Sequence, residues 1–443
     1  MSEDNNMKPN EFVAGVLDAF SLGESEDIVV IGRVKGTIRI NDRVYITNIG
    51  DDDDEVIVLN VVALEINKKL TDSATDELVG IKIGNAKGEN IKVGSVLHSL
   101  DVDENSIRNA YVNALADSYV GKRKMEIEES QYIKMSIADC AETWRLYSWI
   151  FMKEREQKSE AETVLFKSNL GMLGKMIAKK ILLSDEIYVV YSKATREPFM
   201  FSRTFTKDNG FLSSPPMIKI FPKAYLKLAK ENFDKDKFEL KKIDKSENEF
   251  AIEQFLRDTF KYNGALGAQV IFDQVEVSSE AFFKEMKEDG KEDSFVANPD
   301  LVRWILLSSQ IGSPKTEDEK QLSRLYFNHF SRELMKAKFL VPMKSVQEYT
   351  DPDENGNRTK KGVRITFPGN MGKDGHKIMF LYSDIKRLRS VYNEEWEVSV
   401  QKAEAFIKEF NLVINHIDNV YIGLFVNKEM YEAAKNIAGK SNS

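Results

Sequence analysis

DIVVIGRVKGTIRINDRVYITNIG, Asp27 to Gly50, alternates apolar and polar residues with a period of two. That period puts successive side chains on opposite faces of a strand, so the stretch reads as β structure with one buried face. Ile38 and Ile40 precede Asn41-Asp42, and Val44 and Ile46 follow it. An Asn-Asp pair between alternating runs reads as a tight hairpin, because both residues tolerate left-handed backbone angles. Outward from it, VIVLNVVALEI, ELVGIKIG and SVL repeat the pattern between Gly and Asp punctuation. Six or more short strands in this space predict a small closed β-barrel.

At 443 residues the chain exceeds what one core usually serves, and two to four domains are expected. Residues 1–100 hold 18 Asp/Glu against 10 Lys/Arg, which accounts for the whole formal charge of −8. A nucleic-acid binder needs concentrated positive charge, so this acidic front disfavours one. Its densest run, DDDDE at 51–55, reads as a solvated hairpin loop. The single cysteine, Cys140, forms no internal disulfide, and no run approaches the ~20 apolar residues of a membrane span. MSEDNNMKPNEF lacks the basic and apolar regions of a signal peptide, so a cytoplasmic protein is expected.

After the barrel the period changes. Ile107, Ala110, Tyr111 and Ala114 share one helical face, as do Ile137, Cys140, Trp144 and Tyr147, and Ser136 with Asp139 reads as a helix start. The remainder repeats itself. IYVVYS, MIKIFPK, FELKKI and AQVIF are strands interleaved with helices in one copy; FLVPMKS, KIMFLYS, WEVSV and NLVINH, with a helix over AEAFIKEF, play these parts in the second. Aligning Ile218 with Ile378 pairs Ile220 with Phe380 and Leu228 with Leu388. Each copy is therefore an α/β unit on a mixed sheet. The expected fold class is multidomain α+β: a barrel over 1–100, a helical connector over 101–159, and two tandem α/β domains over 160–296 and 297–443.

Candidate chemistry is sparse. GMLGKM at 171–176 has its glycines too close and Met176 where a phosphate loop needs a hydroxyl, so no nucleotide switch is expected. Asp351, Asp353 and Asn355 imitate the start of a calcium loop, but Gly362 stands where the closing bidentate Glu belongs, and a solvated turn is the simpler reading. His98, His329, His376 and His416 show no zinc-ligand spacing. His376, beside GNMGKDG, reads as part of a hairpin. Cys140 on its apolar stripe reads as a core residue. Asn415 with His416 is the polar pair to single out for ligand or partner binding, because it ends an apolar strand, where ligands of α/β sheets gather. No catalytic set, cofactor or metal is expected.

Two resemblances add to this. GVLDAFSL, VVIGRV, GTIRINDRV, DELVGIKI and IKVGSVL (within 15–97) follow in order the second domain of elongation-factor-type translational GTPases. Asp27-Ile28 stands where that family has Gly-Thr, and Asn41 replaces its turn glycine. The resemblance implies an elongation-factor domain-2-like barrel without the GTPase. FLVPMKS, ITFPGN, HKIMFLYSDIKRL and LVINHIDNVYIGL, within 322–437, resemble the SseB (enhanced serine sensitivity) family, with the first copy a divergent version. That resemblance implies a bacterial binding protein with no established catalytic residues. The expected function is a non-catalytic scaffold that binds an unidentified protein partner or small ligand. Docking on ribosome or transfer RNA through the barrel, and an enzyme of amino-acid or sulfur metabolism, are the alternatives.

Overall fold

The structure is a computed structural model. It describes residues 11–50, 57–120, 129–154, 159–207, 210–271, 275–283, 296–349, 358, 360–372, 375–418 and 423–440. The DDDDE run at 51–55 and Asp351, Asp353 and Asn355 lie outside them.

The front of the chain is a closed antiparallel barrel. Its strands are β1 (Phe12–Ser21), β2 (Ile28–Arg39), β3 (Arg43–Thr47), β4 (Ile57–Ile66), β5 (Lys69–Thr71), β6 (Ser73–Thr75), β7 (Leu78–Gly84) and β8 (Val96–His98). The order β1-β8-β3-β4-β7-β2 closes because β2 pairs with β1, while β5 and β6 are short additions on β4 and β2. Alternation fills the interior: Val30, Val34, Ile38, Val44, Ile46, Ile81 and Ile83 all point inward. Asn41 takes φ 70°, and the Asp42 side chain accepts from Arg39 N at 2.7 Å, so the expected turn exists. It is not a hairpin. β2 pairs with β1, β6 and β7, and β3 with β4 and β8, so the turn hands the chain from one wall to another. Closure of the ring decides strand neighbours, and local alternation carries no information about closure.

Among the described residues, four α-helices follow: α1 (Glu104–Leu115), α2 (Glu129–Lys134), α3 (Ile137–Glu154) and α4 (Glu160–Leu183). α1 lies close on β1, where a Cβ on Gly15 would stand 2.4 Å from the Ala110 carbonyl oxygen. Ser136 and Asp139 start α3 as the sequence suggests, each side chain accepting from the other's backbone N–H, at 2.8 and 3.1 Å. α3 packs on α4 through Tyr147 stacked on Phe166 at 4.3 Å, with Asn169 Nδ2 donating to the Tyr147 hydroxyl at 2.9 Å. A Ser159–Glu162 capping box opens α4, and GMLGKM lies in the middle of that helix.

The first α/β copy holds β9 (Glu186–Ser192), β10 (Met200–Phe201), β11 (Thr204–Lys207), β12 (Gly210–Ser213), β13 (Met217–Pro222), β14 (Phe238–Asp244), β15 (Gly267–Val270) and β16 (Glu276–Ser278). Its helices are α5 (Leu226–Asn232), α6 (Ala251–Tyr262) and α7 (Ser279–Phe282). The second holds α8 (Pro299–Ile311), α9 (Glu317–Lys336), β17 (Phe339–Tyr349), β18 (Lys360–Thr366), β19 (Gly369–Met371), β20 (Lys377–Leu381), α10 (Ile385–Arg389), β21 (Glu397–Gln401), β22 (Asn411–Ile414), β23 (Leu424–Val426) and α11 (Lys428–Lys440). AEAFIKEF forms only a 3₁₀ turn at Ala403–Ala405 and further turns, with Phe406 N and Ile407 N both donating to Ala403 O.

The repeat is visible in the strand order. The first copy runs β14-β9-β13-β15-β16. In the second, Leu340 and Tyr382 exchange backbone hydrogen bonds of 2.8 and 2.9 Å that join β17 to β20, giving β21-β17-β20-β22-β23. Just past the fourth strand of each order, Ile271 and Asn415 take φ 64° and 60°, and their N–H groups bond Ile220 O and Leu381 O. This equates Ile220 with Leu381, one residue beyond the sequence alignment with Phe380. The reason is burial on both faces: β13 is buried at all six positions, Lys219 included, so burial carries no alternation to fix a register.

By contacts the chain forms two compact units, one of 1–188, 220–232 and 269–282, the other of 189–219, 233–268 and 283–443. In the second, one sheet face packs Met379, Leu381, Leu412 and Ile414 against Phe330, Leu334, Tyr431 and Ala434 of the long helices. The other packs Leu340, Phe380, Tyr382 and Val413 against Leu388 of α10. No helix among the described residues is long and apolar enough to cross a membrane.

Candidate functional site

β20 and β22 are parallel, and their carboxyl ends point the same way. Asn415 sits one residue past β22, buried, in a left-handed conformation that Asn enters at lower cost than most side chains. Its Oδ1 accepts from Ser383 N at 2.9 Å, which ties the two strand ends together. Ser383 donates its hydroxyl to Asp384 Oδ2 at 2.7 Å, and Asp384 Oδ1 accepts from Arg387 N at 2.9 Å, capping α10.

Arg387, one turn along, is the centre of the cluster. Its guanidinium donates to Asp384 Oδ2 at 2.5 Å, Tyr262 O at 3.3 Å, Glu197 Oε1 at 2.8 Å and Asn263 Oδ1 at 2.6 Å. Asn263 Nδ2 in turn donates to Glu197 Oε2 at 3.0 Å. Burial works against the Arg387 charge, but Glu197 and Asp384 outweigh it and hold the guanidinium above its ordinary range. A cleft of about 210 Å³ opens over this cluster, lined also by Tyr191, Phe255, Lys386 and Asp258. Lys386 pairs with Asp258 at 2.7 Å, so both cations of the cleft are already neutralised by carboxylates.

His416 stands apart from the network. Its ring stacks on Phe380 at 4.5 Å, and its buried Nδ1 has no hydrogen-bond partner. Burial lowers the imidazole pKa, against an opposing pull from Asp418, which pairs with Arg196 at 2.9 Å. The two residues singled out from sequence are therefore neighbours with different roles: Asn415 ties strand ends, and His416 packs on an aromatic ring. Sequence reading missed Arg387, Glu197 and Asn263. The signal that was present is Asp384-x-x-Arg387 at a helix start, where the spacing of three lets the cap and the cation pair.

The other polar candidates are accounted for locally. Cys140 is fully buried, and burial pushes its thiol up to about 12, the behaviour of a core residue. Its neighbour Asp139 also accepts from the Tyr111 hydroxyl at 3.0 Å and pairs with Lys92 at 3.1 Å, bonding α1 and α3 to the barrel's β7–β8 connection. His98, on the outer side of barrel strand β8, bonds Thr47 Oγ1 and Ser99 O, and His329 stacks on Trp304 at 4.2 Å. Among the described residues, no group of three His, Cys, Asp or Glu side chains is placed to hold a metal ion.

No family model and no curated protein matches the chain. Among solved structures, translation elongation factor SelB from Methanococcus maripaludis matches, in its apo form and in complex with the GTP analogue GppNHp. Each match has 21% identity, covers 21% of this chain and 20% of that chain, and has a TM-score of 0.18. The chain thus spans about a fifth of the length of those structures.

Proposed function

We propose that this chain is a non-catalytic interaction protein of the bacterial cytoplasm, built from tandem SseB-like domains behind an elongation-factor-like barrel. The polar groups of the strand-end cleft bind one another and hold the fold. Recognition falls to exposed apolar surface, and one observation carries the reading. On the α3–α4 pair, Trp149, Met152 and Val164 are 59%, 63% and 62% exposed, with Leu165 and Met172 also outside. Large apolar side chains held in water on two adjoining helices offer surface that a partner would bury.

The test compares full-length wild type with Trp149→Ser/Val164→Ser as baits in native lysate. The expected result is a defined partner, held by wild type, lost by the variant, and rebound when purified. An identical set on both baits, or turnover of small acyl, phosphoryl or sulfur substrates, would remove this reading. Salt-sensitive comigration with ribosomal subunits in a sucrose gradient would replace it with the translation-associated one.

A further inference from the structure

β17 is one strand with two environments. Phe339 to Pro342 are buried and pair with β21, whereas Lys344 to Tyr349 leave the core and pair with β18. β18 is exposed at all seven positions and, among the described residues, pairs only with β17. Among the described residues, the result is a two-stranded ribbon whose outer edge meets no other strand. Such a ribbon is marginal in water, and every second N–H and C=O of its edge strand points outward without a strand to meet.

The side chains on this edge are sorted. The register places Val363 and Ile365 on one face with Gln347 and Ser345, and Arg364 on the other with Val346 and Lys344. Val363 and Ile365 are 59% and 51% exposed, an unusual position for β-branched residues on a free edge. Lys360, Lys361 and Arg364 supply all the charge of 360–372, which contains no Asp or Glu, in a chain whose net charge is −8. Lysine and arginine on an edge also serve to prevent pairing, and against a second copy they do so here, because like charges would meet across the new ladder. Against an acidic strand the same charges attract.

We propose that the outer edge of β18 accepts an extended peptide segment in which acidic and apolar residues alternate. The backbone of such a segment completes the ladder. Its acidic side chains meet the face of Arg364, and its apolar ones extend the surface of Val363 and Ile365. This is a different surface from α3 and α4, so failure here leaves the lysate partner unaffected, and failure there leaves the peptide bound.

The probe is a fluorescein-labelled Glu-Val-Glu-Ile-Glu-Val-Glu peptide, titrated with the full chain by fluorescence anisotropy. Saturable binding is expected, weakened by salt and absent for the Lys-Val-Lys-Ile-Lys-Val-Lys counterpart. Lys361→Glu/Arg364→Glu should lower affinity for the acidic peptide at least about tenfold and admit the lysine peptide instead. Two further acidic peptides carry N-methyl groups on alternate amides, one on each edge of the strand, and at least one should lose binding. Four results would overturn the proposal: no saturable binding, indifference to the charge reversal, full binding by both N-methylated peptides, or tighter binding of a single-stranded oligonucleotide. Dimerisation abolished by the charge reversal would also overturn it, by making a second copy the occupant.

Discussion

Arg387 shows how a charge is held inside this protein. Its side chain is 9% exposed and that of Asp384 is 1% exposed, so each would be costly to leave alone. Arg387→Met should destabilise the chain by about 3–5 kcal/mol, because it strands a buried carboxylate. Adding Asp384→Asn should recover part of that loss, since the stranded charge is then gone. Urea unfolding of the two single variants and the double variant gives the coupling directly. If Arg387→Met is neutral, the cluster is not what fastens α10 to Glu197 and Asn263. Asn415 was legible as a special position because Asn is suited to a strand-end turn. Its bond to Ser383 was not, since 32 residues separate the two.

At the level of elements, the approach of α1 to β1 depends on Gly15, the first residue of the GVLDAFSL motif. A Cβ there would meet Ala110 O at 2.4 Å and Ala114 Cβ at 2.9 Å. Gly15→Ala should cost about 1–3 kcal/mol by overpacking and lower the first thermal unfolding midpoint of the full chain. The nearer obstruction is a backbone carbonyl, so no side-chain change at Ala110 relieves it. An unchanged midpoint would mean that α1 yields freely. Sequence periodicity was sufficient to find α1, α3 and the barrel strands, because each shows one apolar face. It was insufficient for the turn at Asn41-Asp42, whose strands find partners elsewhere in the ring. It also misplaced the two copies by one residue, where β13 is buried on both faces.

Across the whole molecule, histidines far apart in sequence shift in one direction. Burial lowers the pKa of His98, His329 and His416 below the ordinary imidazole value of 6.5. The unfolded chain therefore takes up protons at these sites first as pH falls. The stability they contribute is complete above 6.5 and is lost as pH drops from there through the lower folded values. Lowered carboxylates such as Glu319 act only below their own ordinary value of 4.5. The urea midpoint should consequently decline between pH 7 and 5, and replacing all three histidines with Gln should flatten that decline. A profile unchanged by the replacements would place the effect elsewhere. What the sequence determined by itself is the kind and succession of elements: an alternating barrel, a helical stretch, and strands interleaved with helices. These follow from periods of two and 3.6, which act over a few neighbouring residues. Only the tertiary structure decided which strands meet around the barrel, how the copies align, and that Glu197, Asn263, Asp384 and Arg387 converge beneath one cleft. Ring closure, burial on both sheet faces and ion pairing across 190 residues are set by where the chain returns in space, and no local pattern records that.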